Sequence, residues 1–585
     1  MLTWKHVRDI KREEYEQAAD GWGKVSASAS AAMDQVDQQM IAKLQKSQRG
    51  KAARAAVRDL GRLSRNYQYI HTECGLIRTA LNGFATELAT PQRKVNEALA
   101  AAEGYKFTVN PDGSVEYPQS PLTPLGPGTG TATPGAPVPL LPGKGEGGAD
   151  VNKGRAEEIA EKLANAVREA AEIQSRYKAA LGKLKSEGGL EISARMWADA
   201  AKDIGEVRKA AGNYVTAGSA DIPKNKTPAE NAIWWQSLRQ EKRDELATMY
   251  PASIGALDGL PSEVRDEANR IVLRTTTADL ELERAALVAQ RDELSQYDRY
   301  RLQKAKQRIK EIDEDLKGLN SVQNHLDTAG QKDLPELYLL GVDTEKEGHA
   351  IVSGGNPDTA DNVATYVPGM NTNLEGIDKD IQRAENLYSE SVKLGDPDKK
   401  YASLMWLDYD APQGPSVGSE NRANKGAPVL HDFLDGLQAS HPCPPANDTV
   451  IGHSYGSLVT GKMLASDETP PVDAAIFIGS PGVGVDNARD LNIPPEAVWA
   501  GKSKNDPVAH LPTRTPWDPR DWGKRPFGVD PTSFDFGGNS FGVQDGSKWP
   551  PFSAHSLYWD ENSESLGNMA LLVNGEWPAS GMDPE

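Results

Sequence analysis

The sequence predicts a C-terminal α/β domain with a mostly parallel sheet, preceded by all-helical regions and a Pro/Gly-rich linker. Three patterns carry this. From about residue 335, short apolar runs bounded by Gly, Pro, Asp or Asn begin to alternate with helix-like stretches. Before that point, apolar residues recur at helical steps among regular charge. Between two helical parts, Pro118 to Gly148 is dominated by Pro, Gly and Thr.

Residues 1–104 read as helices, with few glycines and the single proline Pro91. In 105–152, Phe107–Tyr117 alternates around Asn110-Pro111-Asp112-Gly113, a small hairpin. The rest of that segment has no charged residue from Pro118 until Lys144 and cannot bury a core, so it reads as disordered linker. Over 153–330, Ile159, Leu163, Val167, Ala170, Ile173, Tyr177, Leu181 and Leu184 form one stripe on a long helix. Leu280, Leu287 and Leu294 are spaced by seven, and Leu302, Ala305, Ile309, Ile312, Leu316 and Leu319 keep a heptad pattern. A break at Tyr297–Tyr300 makes these an antiparallel helical hairpin.

Residues 331–585 form the α/β domain. Strands are expected at 337–342, 350–352, 364–367, 403–407, 449–451, 474–479 and 497–500. Helices are expected at 376–394, 428–439, 458–464 and 563–572. With 585 residues the chain exceeds a single core. Its net charge of −19 argues against nucleic acid or an anionic membrane surface as partner. Mean hydropathy is −0.58, and no apolar run approaches the ~20 residues of a membrane span. Charge interrupts the N-terminus at once, so no signal peptide is expected. The default is a soluble, cytoplasmic protein, with export without a cleaved signal as the alternative. Cys74 and Cys443 show neither metal spacing nor a disulfide framework.

The chemistry is concentrated at Gly452-His453-Ser454-Tyr455-Gly456. Thr449-Val450-Ile451 supplies a strand before it and Leu458–Leu464 a helix after it, the setting of a serine-hydrolase nucleophile elbow. Glycines flank the serine because side chains there would collide with neighbouring backbone, and the Tyr455 amide can face a developing oxyanion. A serine hydroxyl needs a base, and the base needs an orienting acid. Two histidines follow Ser454: His510, four residues after Asp506, and His555, close to the end of the domain. Chain order favours His555 as base. Asp506 follows the expected strand 497–500 and is the expected acid, with Asp518, Asp521, Asp530, Asp535 and Asp545 as rivals. A second oxyanion amide is sought after the strand ending Val367-Pro368-Gly369, from Met370 or Asn371. Residues 511–554 carry Trp517, Trp522, Trp549, Phe527, Phe534, Phe536, Phe541 and Phe552. They read either as an apolar wall over Ser454 or as anchors of an irregular loop.

These residues resemble an actinobacterial α/β-hydrolase family in which helices precede a Gly-His-Ser-Tyr-Gly domain of unknown substrate. The resemblance covers about residues 229–575. Beyond the elbow it rests on Trp234-Trp235, Leu238, Arg243, Leu246, Pro251, Ile254–Gly259, Pro261, Arg265–Arg270 and Gly479-Ser480-Pro481-Gly482. It implies Ser454 as nucleophile, Asp506 as acid and His555 as base, acting on a small-molecule or lipid-like ester without metal or organic cofactor. The front helices are similar to WXG-type hairpins linked to type VII secretion. Their turn falls at Ser47–Ala53, with Gln48 in place of that family's Trp, and Tyr69-Ile70-His71-Thr72-Glu73 fits the export pattern. That resemblance implies a helical partner for the N-terminal region and raises a second possibility, a secretion-linked interaction protein with the hydrolase domain as scaffold. A third, acyl transfer to an alcohol, uses the same three residues.

Overall fold

The computed structural model describes residues 2–48, 50–119, 128–135, 150–184, 192–217, 221–294, 297–330, 335–441, 444–511, 524–525, 527–550 and 552–578. Cys443, Trp517, Trp522, Asp518, Asp521 and most of the expected linker lie outside them. The front of the chain is helical: α1 (Trp4–Arg8), α2 (Arg12–Asp34), a π-helical stretch (Gln35–Ile41), α3 (Ala42–Ser47) and α4 (Lys51–Gly104). Next come β1 (Thr108–Val109), β2 (Val115–Pro118), β3 (Thr129–Ala132), α5 (Val151–Leu181) and α6 (Ala194–Val215). Further helices are α7 (Pro228–Ser237), α8 (Gln240–Met249), α9 (Pro251–Gly255), α10 (Ser262–Glu293) and α11 (Arg299–Thr328). Among the described residues no helix is long and apolar enough to cross a membrane.

The chain divides into two compact units that do not follow the four expected segments. The first comprises Met1–Ala31, Tyr69–Gly188 and Asp199–Asp221; the second comprises Ala32–Gln68, Gly189–Ala198 and Ile222–Glu585. In the first unit, Tyr15 meets Phe84 edge-on and Phe84 meets Tyr177 at a tilt, with ring centres 5.0 and 5.6 Å apart. The Tyr177 hydroxyl donates to Glu87 at 2.6 Å. The helix expected to run to Leu184 ends at Leu181. β1 and β2 form the expected hairpin, with Thr108 opposite Glu116. Thr129–Ala132, expected as disordered linker, instead pairs with β2 as a third antiparallel strand, because the small Gly130 lets the chain pass close over the Tyr117 ring.

The second unit holds an eight-stranded sheet. Its strands are β4 (Leu337–Asp343), β5 (His349–Gly354), β6 (Asn362–Val367), β7 (Tyr401–Leu407), β8 (Asn447–His453), β9 (Ala474–Ile478) and β10 (Val498–Gly501). A short ribbon, β11 (Lys524–Arg525) and β12 (Gly528–Val529), precedes the eighth strand, β13 (Asn539–Ser540). The sheet order is β13-β10-β9-β8-β6-β7-β5-β4, and β5 alone runs against its neighbours. β6 and β7 are buried along their whole length, as strands covered on both faces must be. Helices α12 (Asp378–Leu394) and α15 (Glu564–Val573) pack together, as do α13 (Asn421–Ser440) and α14 (Gly456–Leu464). α13 starts seven residues before the expected 428, with Pro428 inside it.

No boundary falls at 331, because α10 is bonded to the first strand of the sheet. Asp266 accepts the Leu339 amide at 2.7 Å, and Arg270 donates to the Leu337 carbonyl at 2.8 Å. Asn269 reaches the Leu339 carbonyl at 3.1 Å, and Arg265 the Leu340 carbonyl at 2.8 Å. Arg265 also pairs with Asp258 at 2.8 Å, and Arg270 with Asp266. α10 and α11 form the expected hairpin, its turn exposing Tyr297 and Tyr300.

Close backbone approach under α14 gives a test of this packing. A β-carbon on Gly461 would run into the carbonyl oxygen of Val483. Alanine normally favours a helix over glycine by about 1 kcal/mol, whereas overpacking against rigid backbone costs about 1–3 kcal/mol. Gly461→Ala is therefore expected to lower the thermal unfolding midpoint; a raised midpoint would contradict the packing.

Candidate active site

The end of β8 and the start of α14 leave two residues, Ser454 and Tyr455, to reverse the chain. Ser454 makes the turn at φ +56, in the left-handed region that a side chain rarely adopts. Its amide is held by the Ile478 carbonyl at 3.1 Å. The flanking glycines are required by space. A β-carbon on Gly452 would meet Ser457 Cα at 2.6 Å, and one on Gly456 would strike the Val367 carbonyl. Gly369, after β6, is equally confined: its β-carbon would lie 2.6 Å from Ser454 Cβ and 3.0 Å from the Tyr455 amide nitrogen. The loop after β6 thus lies directly against the elbow.

Asp506 and His555 are joined. His555 Nδ1 lies 2.8 Å from Asp506 Oδ2 and 2.9 Å from Oδ1. Asp506 is fully buried and accepts three more hydrogen bonds: from the Tyr558 hydroxyl at 2.5 Å, the Val508 amide at 2.9 Å and the Ala509 amide at 3.2 Å. Burial alone would raise this carboxyl; His555, Tyr558 and the Ala509 amide outweigh it and hold the group below its usual range. Gly479, at φ +54 after β9, would place a β-carbon 3.0 Å from Asp506 Oδ2 and 3.1 Å from His555 Cε1. The pair therefore sits above the C-terminal ends of β9 and β10, beside the serine at the end of β8. Among the described residues Ser454 Oγ has no hydrogen-bond partner, the looser geometry common in unliganded sites.

His510, the alternative base, is exposed and bonds the Ser503 carbonyl at 3.1 Å. Asp530, a rival acid, is taken by Lys502 at 3.0 Å. Of the two residues expected to give a second oxyanion amide, Asn371 has its amide already engaged. Its amide donates to the Pro412 carbonyl at 3.0 Å, because the residue turns at φ +62 and its side chain accepts the Gly414 amide at 3.1 Å. Met370 and Tyr455 have amides with no bond among the described residues. In the aromatic segment, Phe527, Phe536 and Phe541 are buried anchors, and Phe527 meets the Tyr455 ring edge-on at 6.0 Å. Phe534, Trp549 and Phe552 are exposed.

Two residues at the site were not singled out by sequence. Tyr558 binds Asp506 and also accepts the Ser503 amide at 3.1 Å; only its place three residues after His555 could have marked it. His453, the variable residue of the Gly-x-Ser-x-Gly pattern, lies under His555 with ring centres 4.8 Å apart. Its Nε2 lies 2.9 Å from the His555 carbonyl, so that nitrogen carries the proton and donates. Burial, then the neighbouring His555 and Arg383, push the His453 ring far below the usual imidazole range. Elsewhere, Asp343, His349 and Asp408 bring possible metal-ligand atoms within 4.8 Å of one another, with His349 Nδ1 already 3.0 Å from Asp343.

A strained serine between strand and helix, with an Asp–His pair at the neighbouring strand ends of this sheet, defines an α/β-hydrolase fold. Residues 343–516 match the model of an alpha/beta hydrolase family. The chain is 29% identical over 378 residues to the uncharacterized proteins Rv2079 and MT2140 of two Mycobacterium tuberculosis strains, covering 60% of this chain and 56% of each relative. It is 32% identical over 187 residues to the uncharacterized protein Mb0988c of Mycobacterium bovis, covering 30% of this chain and 69% of that relative. The chain belongs to this alpha/beta hydrolase family, and it spans about half the length of the first relatives (56%). No solved structure gives a significant match.

The buried His453 sets a pH dependence. It stays neutral in the folded protein, while the unfolded chain takes up a proton below about pH 6.5. Stability is thus lost as pH falls through that value, at up to about 1.4 kcal/mol per pH unit. Asp506, depressed in the fold, adds its loss only below about pH 3.9. In thermal unfolding between pH 7 and 5, His453→Gln is expected to flatten the slope; an unchanged slope would refute a neutral buried ring.

Proposed function

We propose that this protein is a serine hydrolase that cleaves a carboxylic ester through an acyl-enzyme, with Ser454, His555 and Asp506 as its catalytic residues. The observation that carries this reading is the 2.8 Å contact of His555 Nδ1 with the buried Asp506, beside a serine held at φ +56. The mechanism starts at the serine. Ser454 Oγ attacks the ester carbonyl carbon and its proton passes to His555 Nε2. Asp506, kept ionised by its hydrogen bonds, accepts from Nδ1–H, fixes the tautomer and stabilises the imidazolium. The carbonyl oxygen becomes an oxyanion received by the unbonded amides of Tyr455 and Met370. Collapse breaks the bond to the alcohol oxygen, which leaves with the proton from Nε2. Water then attacks the acyl-enzyme by the same steps in reverse roles, freeing the acid and Ser454.

His453 and Tyr558 position this pair. The first donates to the His555 carbonyl and the second to Asp506, so each fixes a reacting group without touching substrate. Phe527, buried edge-on against the Tyr455 ring, braces the turn that carries the Tyr455 amide.

A fluorophosphonate probe should label the native protein and leave Ser454→Ala unlabelled. Turnover of p-nitrophenyl esters of graded acyl length should fall roughly ten-thousandfold or more in Ser454→Ala. Asp506→Asn, which spoils the tautomer, should cost roughly a hundredfold to ten-thousandfold. Equal labelling of native protein and Ser454→Ala would exclude Ser454 as nucleophile.

A further inference from the structure

A separate cavity of about 510 Å³ lies within the second unit, away from the elbow in sequence, between the first half of α4, the first turn of α6, α10 and α11. Arg274 of α10 lines it and is only 8% exposed. Its Nε and Nη1 are enclosed without a hydrogen-bond partner. The guanidinium carbon lies over the Trp197 ring, 5.7 Å from its centre, a contact that supplies no counter-anion.

The acids nearby are engaged elsewhere. Asp327 pairs with Arg65 at 2.8 Å and also accepts Gln323. Asp266 pairs with Arg270 at 2.7 Å, and Asp59 with Arg62. Asp37 accepts the Ser64 hydroxyl at 2.8 Å, and burial pushes its carboxyl up toward the neutral form. Asp327 and Asp37 lie near enough to favour its charge, yet among the described residues no carboxylate pairs directly with Arg274. Burial, together with the positive Arg65, lowers the Arg274 guanidinium to about 9, so it is still charged at neutral pH. A buried unpaired cation is unfavourable unless an anion completes it. The volume is that of a small-ligand site, and Leu63, Trp197 and Ala278 give one apolar side. Glu281 on the same wall is exposed to solvent.

We propose that this cavity binds a small anionic amphiphile, its carboxylate or phosphate head on Arg274 and its apolar part against Trp197 and Ala278. The two head chemistries share the same guanidinium and differ in source, a free acid or a phosphate monoester. This site is independent of the proposed ester cleavage.

Calorimetric titration of the full chain with octanoate and with octyl phosphate tests the proposal. At least one is expected to bind the native protein, and the tighter of the two identifies the head. Arg274→Met should weaken it by about tenfold or more, the scale of charge-assisted hydrogen bonds. Ala278→Phe, which fills the cavity and leaves the guanidinium in place, should weaken it similarly. Ser454→Ala should bind as the native protein does, which separates this cavity from the candidate active site. The unliganded melting temperature of Arg274→Met, unchanged or raised, shows that loss of binding is not loss of fold. The proposal is overturned if neither compound binds at millimolar concentration, or if Arg274→Met and Ala278→Phe bind as the native protein does.

Discussion

The left-handed backbone at Ser454 is the constraint on which the site depends. A non-glycine residue there costs about 1–3 kcal/mol, so the surroundings must leave the chain no alternative. They do so by close approach. Gly452 lets the end of β8 nest against Ser457 in the first turn of α14, Gly456 lets α14 lie against the Val367 carbonyl at the end of β6, and Gly369 lets the loop after β6 close on the elbow. The contacts at Gly456 and Gly369 bring β6 and its following loop against the elbow, and so demand the sheet order that puts β6 beside β8. The tight turn also leaves the Tyr455 amide unbonded within the described residues.

Three histidines near the strand ends illustrate how environment, more than residue type, divides the work. His555 has one ring nitrogen against a carboxylate. His453, stacked beneath it, is sealed from water and commits its Nε2 to a main-chain carbonyl, which makes it a neutral strut. His510, closer to Asp506 in sequence, faces outward and binds the Ser503 carbonyl. Four residues of sequence separation brought His510 to the acid's neighbourhood without bringing its ring to the carboxylate.

Much of the sheet was legible because its strands are buried on both faces, and such strands appear as apolar runs such as Ser403–Leu407 and Ala474–Ile478. β13 was not: it is two polar residues, Asn539 and Ser540, held by main-chain pairing to β10 and by the Asn539 side chain on the Glu496 carbonyl. The elbow was readable from residue types, since glycine is demanded there. The choice between Met370 and Asn371 was not, because it depends on which amide the Pro412 carbonyl captures, a main-chain property that side-chain identity does not encode. The helical front was readable by period, yet its partition was not. Arg265, Asp266, Asn269 and Arg270 look like the solvated face of a helix, and the structure turns them onto β4.

Those four side chains do more than join a helix to a strand. β4 is the outermost strand of the sheet, and its outward amide and carbonyls would otherwise form a ready template for a strand from another molecule. By presenting carboxylate, amide and guanidinium groups in the register of a missing ninth strand, α10 imitates the main chain and terminates the sheet. Without α10, the Leu339 amide and the Leu337, Leu339 and Leu340 carbonyls of this edge strand would lose these partners. One helix thus closes the β4 margin with side chains where a further strand would otherwise pair.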